Sequence, residues 1–126
     1  MLKTLSLLTA SILLISSVNA SAAESYIGQF LYQYKAGTVY RVIANSKTMS
    51  WECIKGSELG AKGIETPQRF KLNKHIYYAT WVEKSGVQVS QALDFKGMKV
   101  YSTITDNKDR YVLEGTIVRK STKKKS

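Results

Sequence analysis

The chain is poor in the residues that cross-link small domains or bind metal ions. It has one cysteine, one histidine and one proline among its 126 residues. A single cysteine excludes a disulfide within the chain, so the fold must rely on an apolar core. One cysteine and one histidine also fall short of the three or four ligands that a dedicated zinc site needs. The composition therefore predicts neither a disulfide scaffold nor a metal site, and we expect no cofactor.

The lone cysteine, Cys53, is open to two interpretations. A free thiol could react or pair between chains, but free cysteines are among the most buried residue types. Cys53 also shares strand parity with Trp51, so the two side chains point to the same face of a strand. We expect both of them to pack in the core.

Acidic residues are scarce as well. The chain has 9 Asp and Glu against 19 Lys and Arg, which gives a formal net charge of +10 at pH 7. This excess favours acidic partners, namely a negatively charged small molecule, an anionic envelope surface or nucleic acid. Residues 120–126 form a low-complexity basic tail, which we expect to be disordered and to attract phosphate polymers without specificity. Because the sequence contains no recognition helix or single-strand stacking motif, we expect no specific nucleic-acid binding.

A long apolar run occurs only at the N-terminus. A positive start at Lys3 is followed by an apolar run over residues 5–18 and by small residues at Ala20 and Ala22. This order is typical of a secretory signal peptide, here residues 1–22, with cleavage after Ala20 or Ala22. The run is too short to span a bilayer, so no integral membrane segment is expected after cleavage. We therefore expect export, to the periplasm or the medium.

The rest of the chain shows no helical periodicity, because its apolar residues alternate with polar ones. Eight short β-rich runs are separated by turn residues. The runs are residues 26–34, 38–44, 48–54, 66–72, 75–83, 87–95, 99–105 and 110–119. Most connections have hairpin length, which predicts a single all-β domain over residues 23–119, an antiparallel up-and-down barrel of eight strands. The segment 55–65 is longer and rich in glycine, and we expect a loop there.

Two of the predicted strands direct aromatic and acidic side chains to the interior, where an eight-stranded barrel can hold one small ligand. Tyr32 and Tyr34 share parity on the first strand, and Trp81 and Glu83 share parity on the fifth. The pattern leaves two interpretations open. The aromatic side chains could form the core with Glu83 solvated beside a turn, or all four residues could line a cavity. In a cavity, burial would raise the pKa of Glu83, and a buried tyrosine hydroxyl would need a partner.

Three segments of the sequence resemble a known family. They are FLYQYKAG at residues 30–37, GAKG at residues 60–63 and IYYATWVEKSG at residues 76–86, the last followed by Val89 and Ser90. Together they resemble the MoaF-like group and its relative, phenolic acid decarboxylase, which are calycin-type barrels. The resemblance covers about residues 27–104 and implies a calycin or lipocalin-like form of the predicted barrel.

The resemblance also implies site residues. In the decarboxylase a Tyr-x-Tyr pair and an arginine bind the substrate carboxylate, and a glutamate exchanges a proton with the phenolic substrate, without a metal or organic cofactor. The tyrosine pair matches Tyr32 and Tyr34, and the glutamate matches Glu83. The arginine position falls on Lys62, which keeps the charge but lacks the bidentate fork. Lys84 replaces a proline of the decarboxylase, and the shorter MoaF-like group matches the length of the chain better.

Three functions fit these observations. The first is an exported barrel that binds a small aromatic or acidic ligand, without catalysis, between Tyr32, Tyr34, Lys62, Trp81 and Glu83. The second is a cofactor-free carboxy-lyase in which Glu83 is the general acid or base. The third is a basic module that binds an anionic envelope polymer through its exterior and tail. We favour the first, and the sequence leaves open whether the chain acts as a monomer or a homo-oligomer.

Overall fold

The computed structural model describes residues 26–120, which form nine β-strands in one sheet. They are β1 (Gly28–Tyr34), β2 (Val39–Ala44), β3 (Met49–Lys55), β4 (Lys62–Glu65), β5 (Gln68–Lys71), β6 (Ile76–Val82), β7 (Gln88–Asp94), β8 (Lys99–Asp106) and β9 (Asp109–Lys120). Each of the eight predicted runs contains a strand. The ninth strand, β4, lies in the glycine-rich segment that the sequence predicts to be a loop, and it pairs with β3. The predicted count of eight is therefore wrong by one.

Short polar side chains fix several turns between these strands. Asn45 Oδ1 accepts the backbone N–H groups of Lys47 and Thr48 at 2.9 and 2.8 Å, which closes the turn between β2 and β3. Asp94 Oδ1 accepts two backbone N–H groups at 2.9 Å in the same way between β7 and β8. Asn and Asp favour turns because their side chains replace missing backbone acceptors. The residue types from which these turns were predicted therefore also form the hydrogen bonds that close them.

Every strand pairing is antiparallel, as predicted, and the strands form one sheet in the order β4-β3-β2-β1-β9-β8-β7-β6-β5. β1 pairs with both β2 and β9, which joins two up-and-down meanders. The edge strands β4 and β5 follow each other in sequence, but in the part of the chain that the structure describes no ladder joins them. The sheet is therefore a half-barrel rather than the closed barrel predicted. Pro67, in the connection, has no backbone N–H to donate across the gap.

Arg69 links β5 to the turn between β2 and β3, near this gap. Two residues separate β4 from β5, so the facing chain ends are three residue steps apart, at most about 11 Å. Arg69 on β5 donates from Nη1 to the Asn45 carbonyl oxygen at 2.6 Å and from Nη2 to the Thr48 carbonyl oxygen at 3.2 Å. Its guanidinium also lies 4.5 Å from the centre of the Tyr26 ring. A charged side chain thus connects β5 to the β2–β3 turn, where the backbone ladder is open.

One end of the half-barrel is a packed core. Its buried side chains include Tyr26, Phe30, Ala44, Tyr77, Ala79, Leu93, Val100 and Ile117. The Tyr26 and Tyr77 rings meet edge to face with 5.4 Å between their centres, and Tyr26 and Phe95 lie 5.5 Å apart. Cys53 is fully buried, as predicted, and its thiol donates to the Lys55 carbonyl oxygen at 3.2 Å. Every second side chain of a strand therefore points into the core, because successive side chains of a β-strand point to opposite faces of the sheet.

Two of the sequence predictions concern residues beyond the described range of 26–120. The predicted signal peptide at residues 1–22 lies outside the described residues, and so does the predicted tail after Lys120, the last residue of β9. Within the described range, no helix has the length and hydrophobicity that a membrane crossing requires.

Candidate functional site

A cavity of about 420 Å³ occupies the end of the half-barrel opposite the packed core. The connections that follow β1, β3 and β6 contribute to the lining at this end, and so does Asp106, the last residue of β8. Pockets of about 300–1,000 Å³ are the usual size of small-molecule sites in proteins. Half of the interior is therefore filled by side chains, and the other half has room for a ligand.

Four of the five predicted site residues line this cavity. Tyr32 and Tyr34 reach it from β1, where alternate side chains point inward, and both are buried. Trp81 lies near the end of β6 and Glu83 directly after it. The structure thus brings the two phenols and the carboxylate to one hollow, and both interpretations hold in part, because Tyr32 and Tyr34 also belong to the core. That these residues bind a ligand stays a prediction.

A tight turn holds Glu83 at the cavity mouth. The Glu83 N–H donates to the Val87 carbonyl oxygen, and the Gly86 N–H donates to the Glu83 carbonyl oxygen, both at 2.8 Å. Gly86 has a φ of +97°, a conformation that side-chain-bearing residues rarely adopt. The sequence Glu-Lys-Ser-Gly-Val therefore closes a hairpin whose first residue points its carboxylate inward.

Lys62, the fifth predicted residue, lies away from the cavity. It begins β4 opposite Glu52 of β3, and its side chain is exposed on the outer face. The inward position of β4 beside it belongs to Gly63, which lies opposite Trp51. Because successive residues of a strand point to opposite faces, an inward Gly63 requires an outward Lys62. Lys62 therefore does not join the other four residues, and within the described residues the cation that the resemblance implies for a substrate carboxylate does not line the cavity.

Tyr34 takes part in a buried hydrogen-bond network. Its hydroxyl lies 2.7 Å from Ser102 Oγ, and Gln91 Nε2 donates to Ser102 Oγ at 3.1 Å and to Tyr34 Oη at 3.5 Å. Burial raises the pKa of Tyr34 to about 12, although the hydrogen bonds from Ser102 and Gln91 oppose the rise. The sequence analysis missed Ser102 and Gln91. Gln91 gives a detectable signal, because it is a polar residue between the inward Val89 and Leu93.

Tyr32 differs from Tyr34 in having no partner for its hydroxyl. Tyr32 is 2% exposed, and its Oη makes no hydrogen bond within residues 26–120. Burial raises the pKa of this phenol well above its ordinary value. The Oε1 of Gln91, which is 6% exposed, is likewise buried and unpartnered. An unsatisfied buried polar group costs about 1–3 kcal/mol, so both atoms need an explanation.

Three aromatic rings form a wall of the cavity that the sequence analysis assigned only in part. The Tyr34 and Tyr40 rings meet at 82° with 5.9 Å between centres, and Tyr40 meets Trp51 at 76° and 5.9 Å. Trp51 was predicted to be core, and it is half-buried with its ring at the cavity. Trp51 Nε1 donates to Glu65 Oε2 at 2.9 Å, passing over Gly63. The alternation on β2 and β3 that places Val42 and Cys53 inward could have found Tyr40 and Trp51.

The charged side chains of the lining are all acidic. They are Glu58, Glu83 and Asp106, and Glu58 Oε1 accepts the Tyr40 hydroxyl at 3.1 Å. The pKa of Glu83 is raised from 4.5, first by burial and then by the charge of Glu65, with smaller contributions from Glu58 and Asp106. The Trp81 indole opposes the rise, although its N–H makes no hydrogen bond of standard geometry. Repulsion among like charges and partial desolvation therefore favour a protonated Glu83.

The arrangement of these acids does not suit a metal ion. Within residues 26–120, no three side chains of His, Cys, Asp or Glu come together closely enough to hold one. The cavity instead offers aromatic faces, dispersed carboxylates and unpartnered polar atoms. Such a lining can hold an organic molecule by stacking and hydrogen bonding, and Glu83 can exchange a proton with it.

Comparisons with known proteins agree with this description of the fold. A crystal structure from Burkholderia vietnamiensis, described as "a putative beta-lactamase", superposes with a TM-score of 0.69 over 73% of this chain and 91% of that chain. The two sequences are 19% identical, so the likeness concerns the fold alone. A search of the curated proteins found no match. The model of the MoaF-like family matches residues 28–118, from the start of β1 almost to the end of β9. Since that match covers well over half of the sequence, the chain belongs to the MoaF-like family.

Proposed function

We propose that the protein binds a small aromatic molecule in the half-barrel cavity and does not transform it. The observation that carries the proposal is the pair of unpartnered polar atoms, Tyr32 Oη and Gln91 Oε1, on buried side chains that line a cavity of about 420 Å³. A ligand with a hydroxyl or amino group would supply both missing hydrogen bonds. The cost of burying these atoms unpaired, about 1–3 kcal/mol each, would then be recovered on binding.

The aromatic character of the ligand is supported by the lining. Tyr40, Trp51 and Trp81 present ring surfaces to the cavity. Aromatic pairs in edge-to-face or offset geometry gain about 0.5–1.5 kcal/mol beyond the burial of their area. A ligand ring placed among three such side chains would benefit from several of these contacts.

Ligand binding is the better supported of the two small-molecule functions. A carboxy-lyase of the kind implied by the resemblance needs a cation and two phenols to hold the substrate carboxylate. Lys62 points outward, and the Tyr34 hydroxyl is already bonded to Ser102 at 2.7 Å. The pKa of Glu83, raised by burial and by Glu65, supports the lyase, because a raised pKa keeps the carboxyl protonated to a higher pH, as a general acid requires. We therefore keep the lyase as a second candidate.

Thermal unfolding with and without ligand tests the binding proposal. Indole and 4-hydroxyphenylethanol are suitable first probes, since each has one aromatic ring system and at least one hydrogen-bond donor. A ligand at about one hundred times its Kd stabilises a protein by about 2.7 kcal/mol, or roughly 10 °C in Tm for a domain of this size. Tyr32→Phe should weaken binding about five- to tenfold, while the control Tyr101→Phe, on an exposed outward tyrosine, should not. The proposal fails if no aromatic probe gives a saturable shift.

The lyase candidate has a separate test. Incubation with hydroxycinnamic acids should release carbon dioxide as the bond to the carboxyl carbon breaks and a proton takes its place. Glu83→Gln, which cannot exchange a proton, should abolish that release. The absence of carbon dioxide from the wild-type protein, or equal release by both proteins, removes the candidate.

Export is part of the proposal and rests on residues 1–22 of the sequence. Expression of the full chain in a bacterium, followed by mass measurement of the product from the periplasm and the medium, tests it. The expected product begins at Ser21 or Ala23. An uncleaved chain retained in the cytoplasm would contradict the expectation.

A further inference from the structure

The cavity has a charge that the composition does not predict. The chain has 19 Lys and Arg and 9 Asp and Glu, yet each charged side chain of the lining is an acid. Glu58, Glu83 and Asp106 line the mouth, and Glu65 lies behind Trp51, near enough to raise the pKa of Glu83. The rest of the described lining is aromatic, aliphatic or uncharged polar. In a basic protein, this end of the interior is a region of negative potential.

The basic side chains that contact aromatic rings lie at the opposite, packed end. The guanidinium of Arg69 lies 4.5 Å from the Tyr26 ring centre, and that of Arg119 lies 4.8 Å from the Phe30 ring centre. The rings at the cavity end, Tyr40 and Trp51 among them, have carboxylates as charged neighbours instead. Trp and Tyr faces attract cations because their π-electrons carry negative charge. The cavity rings are therefore available to a cation that the protein itself does not provide.

Two of the three unpartnered polar atoms of the described lining also favour a donor group. The third, Trp81 Nε1, is itself a donor, and it lies near enough to Glu83 to lower the pKa of that carboxyl. Gln91 Oε1 can only accept hydrogen bonds, and the side-chain amide nitrogen of the same residue is already committed to Ser102. Tyr32 Oη can accept as well. An ammonium group carries up to three N–H donors and no acceptor, so it complements the carboxylates of the mouth, while a hydroxyl on the ligand ring can donate to Tyr32 Oη or Gln91 Oε1.

We propose that the ligand of this cavity is an organic cation, an arylalkylamine whose ammonium group lies among Glu58, Glu83 and Asp106 and whose ring lies against the aromatic wall. This inference rests on the proposed binding function and specifies the class of ligand. It reverses the expectation of an acidic ligand, which the net charge of +10 suggested. The whole-chain charge describes the exterior, whereas the lining decides which molecule the interior accepts.

Three matched compounds test the inference. Tyramine, 4-hydroxyphenylethanol and 4-hydroxyphenylacetate share one phenol and differ in an ammonium, a hydroxyl and a carboxylate. Isothermal titration of the wild-type protein at neutral pH and low salt should give affinities in that order, with tyramine binding at least tenfold more tightly than the acetate. Raising the salt concentration should weaken tyramine binding more than binding of the alcohol, because only the former depends on charge.

Variants of the acids at the cavity mouth test whether the preference for tyramine arises in the cavity. Glu58→Gln and Asp106→Asn, made separately, keep side-chain size and remove one negative charge each. Each should lower the ratio of tyramine affinity to 4-hydroxyphenylethanol affinity about fivefold. Glu52→Gln is the matched control, because Glu52 points outward and pairs with Arg41 at 3.1 Å. It makes the same change in net charge and should leave the ratio unaltered.

The outcomes separate this inference from the function on which it rests. If the alcohol or the acetate binds as tightly as tyramine, the cation inference is overturned and the binding function stands. If Glu52→Gln lowers the ratio as much as the mouth variants, the preference arises from overall charge and the assigned site is wrong. If a folded wild-type protein, verified by a cooperative thermal transition, binds none of the three compounds or indole, both proposals fail.

Discussion

Two tyrosines on one strand have opposite energetic roles in this protein. Tyr34 and Tyr32 both point inward from β1 and both are buried. The Tyr34 hydroxyl lies 2.7 Å from Ser102 Oγ, whereas the Tyr32 hydroxyl has no partner within the described chain. A buried hydrogen bond stabilises the fold by about 1 kcal/mol, and an unpaired hydroxyl costs a similar amount or more. The same residue type therefore supports the fold at one position and leaves a buried polar atom without a partner at the other.

The phenylalanine variants of these tyrosines should differ in stability. Tyr34→Phe removes a hydrogen bond and leaves Ser102 and Gln91 with fewer partners, so we expect a loss of about 1–2 kcal/mol in the free energy of unfolding. Tyr32→Phe removes an unpaired polar atom and should be neutral or stabilising by up to about 1 kcal/mol. Urea unfolding of the ligand-free proteins measures both values. Equal losses would mean that the Tyr32 hydroxyl is satisfied in the free protein.

Gly63 is required by a close contact rather than by its backbone conformation. A Cβ at this position would lie 3.0 Å from Trp51 Nε1 and 3.0 Å from Glu65 Oε2, the two atoms of a hydrogen bond. We expect Gly63→Ala to cost about 1–3 kcal/mol and to shift the tryptophan fluorescence, since the indole must move. Lys62→Ala, one residue away but outward, should change neither by a comparable amount. Similar effects of the two substitutions would contradict this account.

The predicted site was largely right because parity on a strand can be deduced from the sequence. Alternation places Tyr32 with Tyr34, and Trp81 with Glu83, without knowledge of the fold. The position of Lys62 could not be deduced in this way. The direction of its side chain depends on the register in which β4 pairs with β3. The sequence pattern predicted a loop at β4, so it gave no register from which that direction could be read.

At the scale of elements, β4 shows the limit of sequence patterns. It has four residues, one of them glycine, and lies in a segment whose composition is typical of a loop. Its hydrogen bonds with β3 stabilise it as an edge strand, although its own propensity is low. The other eight strands were predictable because each combines β-branched or aromatic residues with turn residues at both ends.

The contacts of Arg69 should make it a stability determinant of the open side. Arg69→Ala removes two hydrogen bonds to carbonyl oxygens of the β2–β3 turn and the contact with the Tyr26 ring. We expect a loss of about 2–4 kcal/mol in the free energy of unfolding. Arg69→Lys keeps the charge but cannot form both bonds, so its loss should be intermediate. Arg110→Ala, on the exposed start of β9, is the control and should cost less than about 0.5 kcal/mol.

At the scale of the molecule, the acids of the cavity make stability depend on pH. Glu83 has a pKa raised above 4.5 by burial and by Glu65, Glu58 and Asp106, while the Trp81 indole opposes the rise. A folded state that favours the protonated form is most stabilised below pH 4.5, and this contribution is lost as the pH rises through the raised pKa. Glu83→Gln cannot titrate and should remove that loss. Chemical unfolding of both proteins from about pH 4 to about pH 8 measures the difference, which an unshifted Glu83 would reduce to zero.

The whole-molecule charge did not predict the charge of the cavity lining. Net charge is a sum over the chain, and it contains no information about which side chains face the interior. Glu58 lies in the connection after β3, and its direction follows from the fold. Asp106 ends β8 in step with Ser102 and Ile104, which also line the cavity, so strand alternation accounts for its direction. Fold class and the part of the lining that lies on strands were therefore predictable, whereas the net charge gave no guide to the sign of the cavity potential.

The open side between β4 and β5 has a consequence for how the wall of the half-barrel moves. Separating two neighbouring strands elsewhere in the sheet breaks several backbone hydrogen bonds. Separating β4 from β5 breaks no backbone ladder in the described chain and requires only the release of side-chain contacts, such as those of Arg69 with the β2–β3 turn. Transient separation there is the least costly opening of the sheet, and amide hydrogens of the two edge strands should exchange with solvent before those of β1 and β9.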